Sequence, residues 1–281
     1  STFLLLATIG DVLMPVLVAL ILAYLMQGVA DRLMGWGLNE MLALTGATLL
    51  FVGVFLGFTV GIAPLVWRQL GGLIREAPAM VEAVQAEVAG LIAQYPTMIE
   101  QAPIDELMST LQAQAASFGQ AVLGFGLSSI PGVLTFAIYM VLIPLMVFFF
   151  LKDREVILKW VLSFLPSDRP QLDQIGRAMN VQIANYVRGK GIEITIIGAV
   201  SYAAFTTFDL NYTALLALLV GLSVIVPYIG AFLVTIPVML VALFQFGLTG
   251  DFYWVVGLYM LIQVLDGNVL VPLLFSEAVD L

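Results

Sequence analysis

The sequence predicts an all-α, polytopic membrane protein with interrupted helices and an amphipathic helical insert. Three observations carry this. Of 281 residues, 62% are hydrophobic and 10% charged, with a mean hydropathy of +1.07, whereas soluble domains hold roughly 45–50% apolar and about 25% charged residues. Several windows of ~20 residues hold at most one charge, enough to cross a hydrocarbon core of ~30 Å. Finally, prolines and glycines interrupt uncharged runs, while a central acidic stretch keeps the apolar spacing of a surface helix.

Taken in order, residues 1–67 form N-terminal transmembrane segments. Within them, 3–27 is apolar but contains Asp11 and Pro15, so it reads either as one kinked span or as a hairpin of two short helices. A polar link (27–40) precedes a second span at 41–66, ending near Pro64. Residues 68–127 change character. Glu76, Glu82, Glu87, Glu100, Asp105 and Glu106 appear, and Val81, Val84, Val88, Leu91 and Ile92 recur at helical spacing. This is the amphipathic insert, expected as two helices split near Pro96 and Pro103.

Residues 128–151 form a further span with Pro144 as its kink. Residues 152–190 are polar and helical in pattern, and 191–281 form a C-terminal transmembrane core with interrupted helices. Of the ten Lys and Arg, seven lie in 152–190 (Lys152, Arg154, Lys159, Arg169, Arg177, Arg188 and Lys190). The positive-inside rule places that segment in the cytoplasm and the acidic insert outside.

Composition excludes whole classes of chemistry. A formal net charge of −9 argues against nucleic acid, whose phosphates need clustered cations. With no cysteine and no histidine, there is no thiol chemistry, disulfide, imidazole ligand or His-based triad. No cofactor or metal site is expected, and no enzyme motif is supported: GKG at 189–191 lacks the rest of a phosphate-binding loop.

Two interruptions stand out in the C-terminal core. Apolar runs 213–226 and 231–246 flank Pro227, Tyr228 and Gly230. At ~1.5 Å per residue each makes about 21–24 Å of helix, short of a full crossing. Irregular backbone at membrane depth persists only where it is covered or lines a cavity. The alternative is a tight turn between two ordinary spans, with Pro and Gly chosen for its geometry. The second interruption is Asp266-Gly267-Asn268, with apolar sequence on both sides. A carboxylate at mid-span costs ~2.5–3.5 kcal/mol on insertion scales, against ~0.3–0.6 returned per Leu or Ile. Gln263 lies one turn earlier. Glu193, close to Arg188 and Lys190, reads as an interfacial residue. Gly53, Gly57 and Gly61 share one helix face at a spacing that lets membrane helices approach closely, which points to packing or self-association.

The segments FFFLKDREVILKWVLSFLP (148–166), NYVRGKG (185–191), VPYIGAF (226–232) and QVLDGNVLVPLL (263–274) together resemble the autoinducer-2 exporter family of bacterial membrane proteins. The resemblance implies a multi-pass inner-membrane permease that exports a small polar signalling molecule such as autoinducer-2. Some members are associated with sodium(lithium)/proton antiport. It places the family's characteristic positions on Arg188, Gly189, Pro227, Tyr228, Gly230, Gln263, Asp266, Asn268 and Pro272. The family often has Glu where this chain has Asp266, a reach shorter by one methylene.

The expected function is therefore secondary transport of a small polar solute, ion-coupled through Asp266 and Arg188: Asp266 would bind a proton or sodium ion, or pair with Arg188 in one conformational state. Pro227, Tyr228, Gly230, Gln263 and Asn268 would bind the solute. Expected partners are that solute, H⁺ or Na⁺, the lipid bilayer and further copies of the chain. The rival readings are a sodium(lithium)/proton antiporter without organic substrate, a non-transporting membrane scaffold, and a passive channel.

Overall fold

A computed structural model describes residues 2–94, 129–165 and 170–275, which form helices and turns without strands. The second insert helix expected near residues 104–120 lies outside those residues. Among the described residues four helices are long and apolar enough to cross a membrane: Leu13–Gly35, Glu40–Val84, Ile229–Phe246 and Gly250–Phe275. The all-helical polytopic class follows. Leu49, Val54 and Val60 are 66, 65 and 73% exposed, an apolar belt that lipid tails solvate and water does not.

The chain divides into two compact units. Unit 1 comprises Ser1–Thr59, Ile130–Gly191 and Phe275–Leu281; unit 2 comprises Val60–Ser129 and Ile192–Leu274.

In unit 1, α1 (Thr2–Gly35) is one continuous helix that keeps Pro15 inside it. The hairpin alternative for 3–27 is therefore ruled out, and the helix runs on through most of the polar link. Its polar end is helical because nothing in Gln27–Met34 breaks a helix except Gly28. Gln27 Nε2 also donates to Asp31 one turn on, at 2.8 Å. Gly35 and Gly37 (φ 93°) end it, with Leu38 N returning to Leu33 O at 3.3 Å. Asn39 then caps the next helix, its side-chain oxygen accepting from Leu42 N at 2.8 Å.

α2 (Glu40–Gly57) packs on α1 through small residues. Ala19, Ala30 and Ala47 are fully buried, beside Phe51, Val147 and Leu151. Such a seam suits a membrane, where close backbone approach replaces hydrophobic collapse as the driving force. α2 does not stop near Pro64. A π-turn (Phe58–Ile62) leads directly into α3 (Ala63–Gln94), so the helix is continuous across the expected boundary at 67. α4 (Ser129–Lys152) keeps Pro144 inside it and is followed by α5 (Arg154–Leu162), a short amphipathic helix. α6 (Pro170–Thr207) opens on a proline, whose missing N–H is no loss at the first helical position.

In unit 2, α6 meets α7 (Thr213–Ser223) at two glycines. A Cβ on Gly221 would lie 3.0 Å from Ile194 O and 3.1 Å from Gly198 Cα. The start of α7 is held by side chains. Gln69 Oε1 accepts from Leu215 N at 2.7 Å, and Gln245 bridges Asn211 N (2.7 Å) and Asp209 O (2.9 Å). Burial and a hydrogen bond to Glu76 push the Tyr212 phenol up to about 12. α8 (Ile229–Phe246) and α9 (Gly250–Leu265) complete the core around Phe205, Leu216, Val220, Val238, Val255 and Tyr259. A second π-turn (Asp266–Leu270) and α10 (Val271–Phe275) follow.

Candidate functional site

Unit 2 brings both sequence interruptions onto neighbouring helices. α7 has 11 residues, about 16 Å at ~1.5 Å per residue, and is a half-length helix. α8, at 18 residues, is nearly a full crossing, ~27 Å by the same rise. The shortfall expected on both sides of the break belongs to α7 alone.

The break itself is tightly built. Ile229 N donates to Pro227 O at 2.7 Å and Gly230 N to Val226 O at 2.8 Å. A Cβ on Gly230 would sit 1.9 Å from Ser223 O, so only glycine fits there. Tyr228 has φ 62° and ψ −52° and is 91% exposed. Pro227 is exposed beside it.

Three buried or half-buried polar side chains tie α8 to α9 at this level. Tyr259 is completely buried. Its hydroxyl lies 2.8 Å from Thr235 Oγ1, accepts from Gln263 Nε2 at 2.9 Å and reaches Ala231 O at 3.3 Å. Thr235 Oγ1 donates to the same Ala231 carbonyl at 2.7 Å. One proton arrangement satisfies the three shortest contacts: Gln263 gives to Tyr259, Tyr259 gives to Thr235, and Thr235 gives to Ala231. Ala231 is the residue after Gly230, and Gln263 is three residues before Asp266. The network therefore joins the first turn after one interruption to the last turn before the other.

Asp266 opens the π-turn and is buried, 9% exposed. Asn268 is exposed and its Nδ2 donates to Val264 O at 2.8 Å, back onto its own helix, which leaves its Oδ1 to accept. The interruption at Asp266-Gly267-Asn268 is thus a widened helical turn, not a chain break. Such turns recur at functional sites because they expose backbone acceptors and re-aim side chains.

Two further polar residues on α6 are buried in unit 2: Glu193, 1% exposed, and Ser201, fully buried. Glu193, expected at the interface, is buried within the protein. Its neighbours in sequence are basic, but its helix turns it into the core. Tyr259 and Thr235 were also not singled out from the sequence. The available signal was the i, i+4 spacing of Tyr259 and Gln263, and a threonine within VPYIGAFLVTIP itself.

Arg188 belongs to unit 1, where it pairs with Asp31 at 3.6 Å. Its guanidinium lies against Gly28, where a Cβ would come 2.8 Å from Nε. Gly189 and Gly191 admit Phe275 and Leu25 at 2.7 and 2.6 Å from their own missing Cβ positions. The glycines of the NYVRGKG segment are therefore packing positions. Gly53, Gly57 and Gly61 are exposed, and a Cβ on any of them would meet nothing within 4 Å. Among the described residues, no three acidic side chains gather as a metal site.

The profile of the AI-2E family of transporters matches residues 1–281. The chain is 43% identical over 272 residues to PerM of Escherichia coli (strain K12), a protein whose name marks it as a permease, covering 97% of this chain and 77% of that one. It is 24% identical over 274 residues to YrrI of Bacillus subtilis (strain 168), named as a transport protein, covering 97% and 76%. A full-length match to the family profile and a 43% identical permease together show that the chain belongs to the AI-2E family of transporters.

Proposed function

We propose that the chain is a secondary transporter of a small polar solute, coupled to an ion, with its transport site at the paired interruptions of unit 2. The observation that carries this is the Tyr259–Thr235–Gln263 network between them. Polar groups are expensive in hydrocarbon and mark solute and ion pathways when they cluster there. Interrupted helices with exposed backbone groups are the usual form of such sites in secondary transporters. In this reading Asp266 carries a proton or sodium ion. Pro227, Tyr228 and Gly230 present backbone to the solute, and Gln263 and Asn268 Oδ1 supply neutral hydrogen bonds. Autoinducer-2 is a solute of the right class. The setting is the bacterial inner membrane, the direction export, and the assembly a homo-oligomer packed through the Gly53, Gly57 and Gly61 face.

The test is flux into proteoliposomes under an imposed proton or sodium gradient, comparing the parent with Asp266→Asn. Loss of the gradient dependence is expected. Unchanged, gradient-driven transport in the variant would remove Asp266 from the mechanism, and no flux at all in the parent would favour a scaffold.

The sodium(lithium)/proton antiporter reading is favoured by one observation, that Glu193 and Asp266 place two acids in the buried interior of unit 2. Sodium movement driven by a pH gradient alone, with no organic solute present, separates it from solute export.

A further inference from the structure

Unit 1 holds a cavity of about 450 Å³ between α1, the end of α4, α5 and α6, within the ~300–1,000 Å³ typical of small-molecule sites. Much of its wall is apolar, formed by residues such as Leu20, Phe150 and Leu158. The polar part of the lining is rich in donors. Arg154 and Arg188 both line it, with Asp31 as the one acid among the lining residues. That carboxylate is already engaged: it faces Arg188 at 3.6 Å and accepts from Gln27 at 2.8 Å. Arg154 therefore leaves the cavity one positive charge in excess.

Of the neutral lining residues, Gln27 has given its Nε2 to Asp31 and keeps an acceptor oxygen, whereas Asn180 adds to the donors. Asn180 Oδ1 is occupied as the acceptor for the Tyr24 hydroxyl at 2.9 Å, so what Asn180 has left to offer is its amide N–H₂. The buried Nε–H of Arg188 has no hydrogen-bond partner among the described residues. A pocket with surplus cation, surplus N–H and an apolar wall matches a ligand with a negative oxygen-bearing head and an apolar body.

We propose that unit 1 carries a binding site for an amphiphilic anion, a phosphate or carboxylate head on a short apolar body, with Arg154 and Arg188 on the head and Leu20, Phe150 and Leu158 around the body. The head can come from a membrane lipid or from a free organic anion, and the chemistry is shared. The proposal does not rest on the transport site in unit 2, and its readout needs no flux.

The test is calorimetric titration of the full chain, in neutral detergent, with hexyl phosphate as the probe and hexanol as its uncharged control. Hexyl phosphate is expected to bind and hexanol is not. Arg154→Gln, at an exposed position, is expected to weaken binding by about 10-fold or more, the scale of one charge-assisted hydrogen bond. Ala184→Phe, at a buried lining residue, is expected to abolish binding by filling the space without changing charge. Arg188→Lys keeps the charge, loses the planar fork and is expected to fall between the parent and Arg154→Gln. Repeating the titration in phosphatidylcholine and phosphatidylglycerol nanodiscs assigns the source. Binding in both assigns a free organic anion; binding in phosphatidylcholine alone assigns a lipid head already in place. The proposal is overturned if hexanol binds as tightly as hexyl phosphate. It is also overturned if Arg154→Gln and Ala184→Phe both retain parental affinity, or if no binding is seen in phosphatidylcholine.

Discussion

Tyr259→Phe removes one oxygen from the centre of unit 2 and keeps the ring that packs near Phe205 at a centroid distance of 6.5 Å. The consequences divide unequally among its partners. Thr235 retains the Ala231 carbonyl at 2.7 Å, and Ala231 retains Thr235. Gln263 Nε2 loses the acceptor it reaches at 2.9 Å. One half-buried donor is therefore orphaned, which costs about 1–3 kcal/mol in a protein interior. Hydrogen bonds between membrane helices measured by double-mutant cycles average only ~0.6 and reach ~1.7 kcal/mol. The expected destabilisation of Tyr259→Phe is accordingly about 1–2 kcal/mol, a factor of roughly 5–30 in the folding equilibrium. Gln263→Leu removes the donor instead, and in that background Tyr259→Phe should cost less. The assay is reversible unfolding in mixed micelles for the parent, both single variants and the double variant. A coupling energy of about 0.6 kcal/mol or more is expected between the two sites. If the two changes add within ~0.3 kcal/mol, the network is an accident of side-chain placement and not a joint between α8 and α9.

Other expectations follow from the same geometry. Gly230→Ala puts a Cβ 1.9 Å from Ser223 O and should destabilise by about 1–3 kcal/mol or more, as overpacking does. Gly57→Ala, where a Cβ meets nothing within 4 Å, should leave unfolding within ~0.5 kcal/mol; thermal melts of the two variants compare them directly. Gly57→Leu should lower the assembled mass seen by light scattering or native mass spectrometry if that face joins subunits, and an unchanged mass excludes it. Tyr212 is raised to about 12 from an ordinary 10.0. Its neutral form is the one the fold favours, so its contribution is complete below pH 10 and is lost as pH rises toward 12. Ultraviolet titration of tyrosinate should show one fewer group ionising late in Tyr212→Phe, and stability in that variant should decline less over the same interval.

Much of this fold was legible from residue chemistry alone. Pro227 and Gly230 announced a break because neither serves a helix interior, and the length of the flanking runs marked the region as irregular. What could not be read was which run was short, because Val224–Val226 are as apolar as the helix they follow. The continuity of Glu40–Gln94 was hidden by Pro64 and by the change in polarity at Arg68, since polarity reports solvent and a π-turn absorbs a proline without ending the helix. α1 ran past Gln27 for a related reason: its polar residues describe what surrounds the helix, not where it stops. Glu193 lies close to Arg188 and Lys190 in sequence, and its burial is set by tertiary packing that this proximity does not report. Tyr259 was invisible as a site residue because a lone tyrosine in an apolar run looks like packing until its hydroxyl finds partners from another helix.

Tyr228 has one more implication. A tyrosine at φ 62° occupies backbone space that suits glycine, and with 91% of its surface exposed little within the chain repays the strain. Replacing it with glycine should stabilise the folded protein by about 1 kcal/mol. An engineer selecting only for heat resistance would therefore discard this side chain among the first. Its persistence would then measure what the protein's work demands in stability forgone, and a thermostable variant that had lost Tyr228 would show whether that work had gone with it.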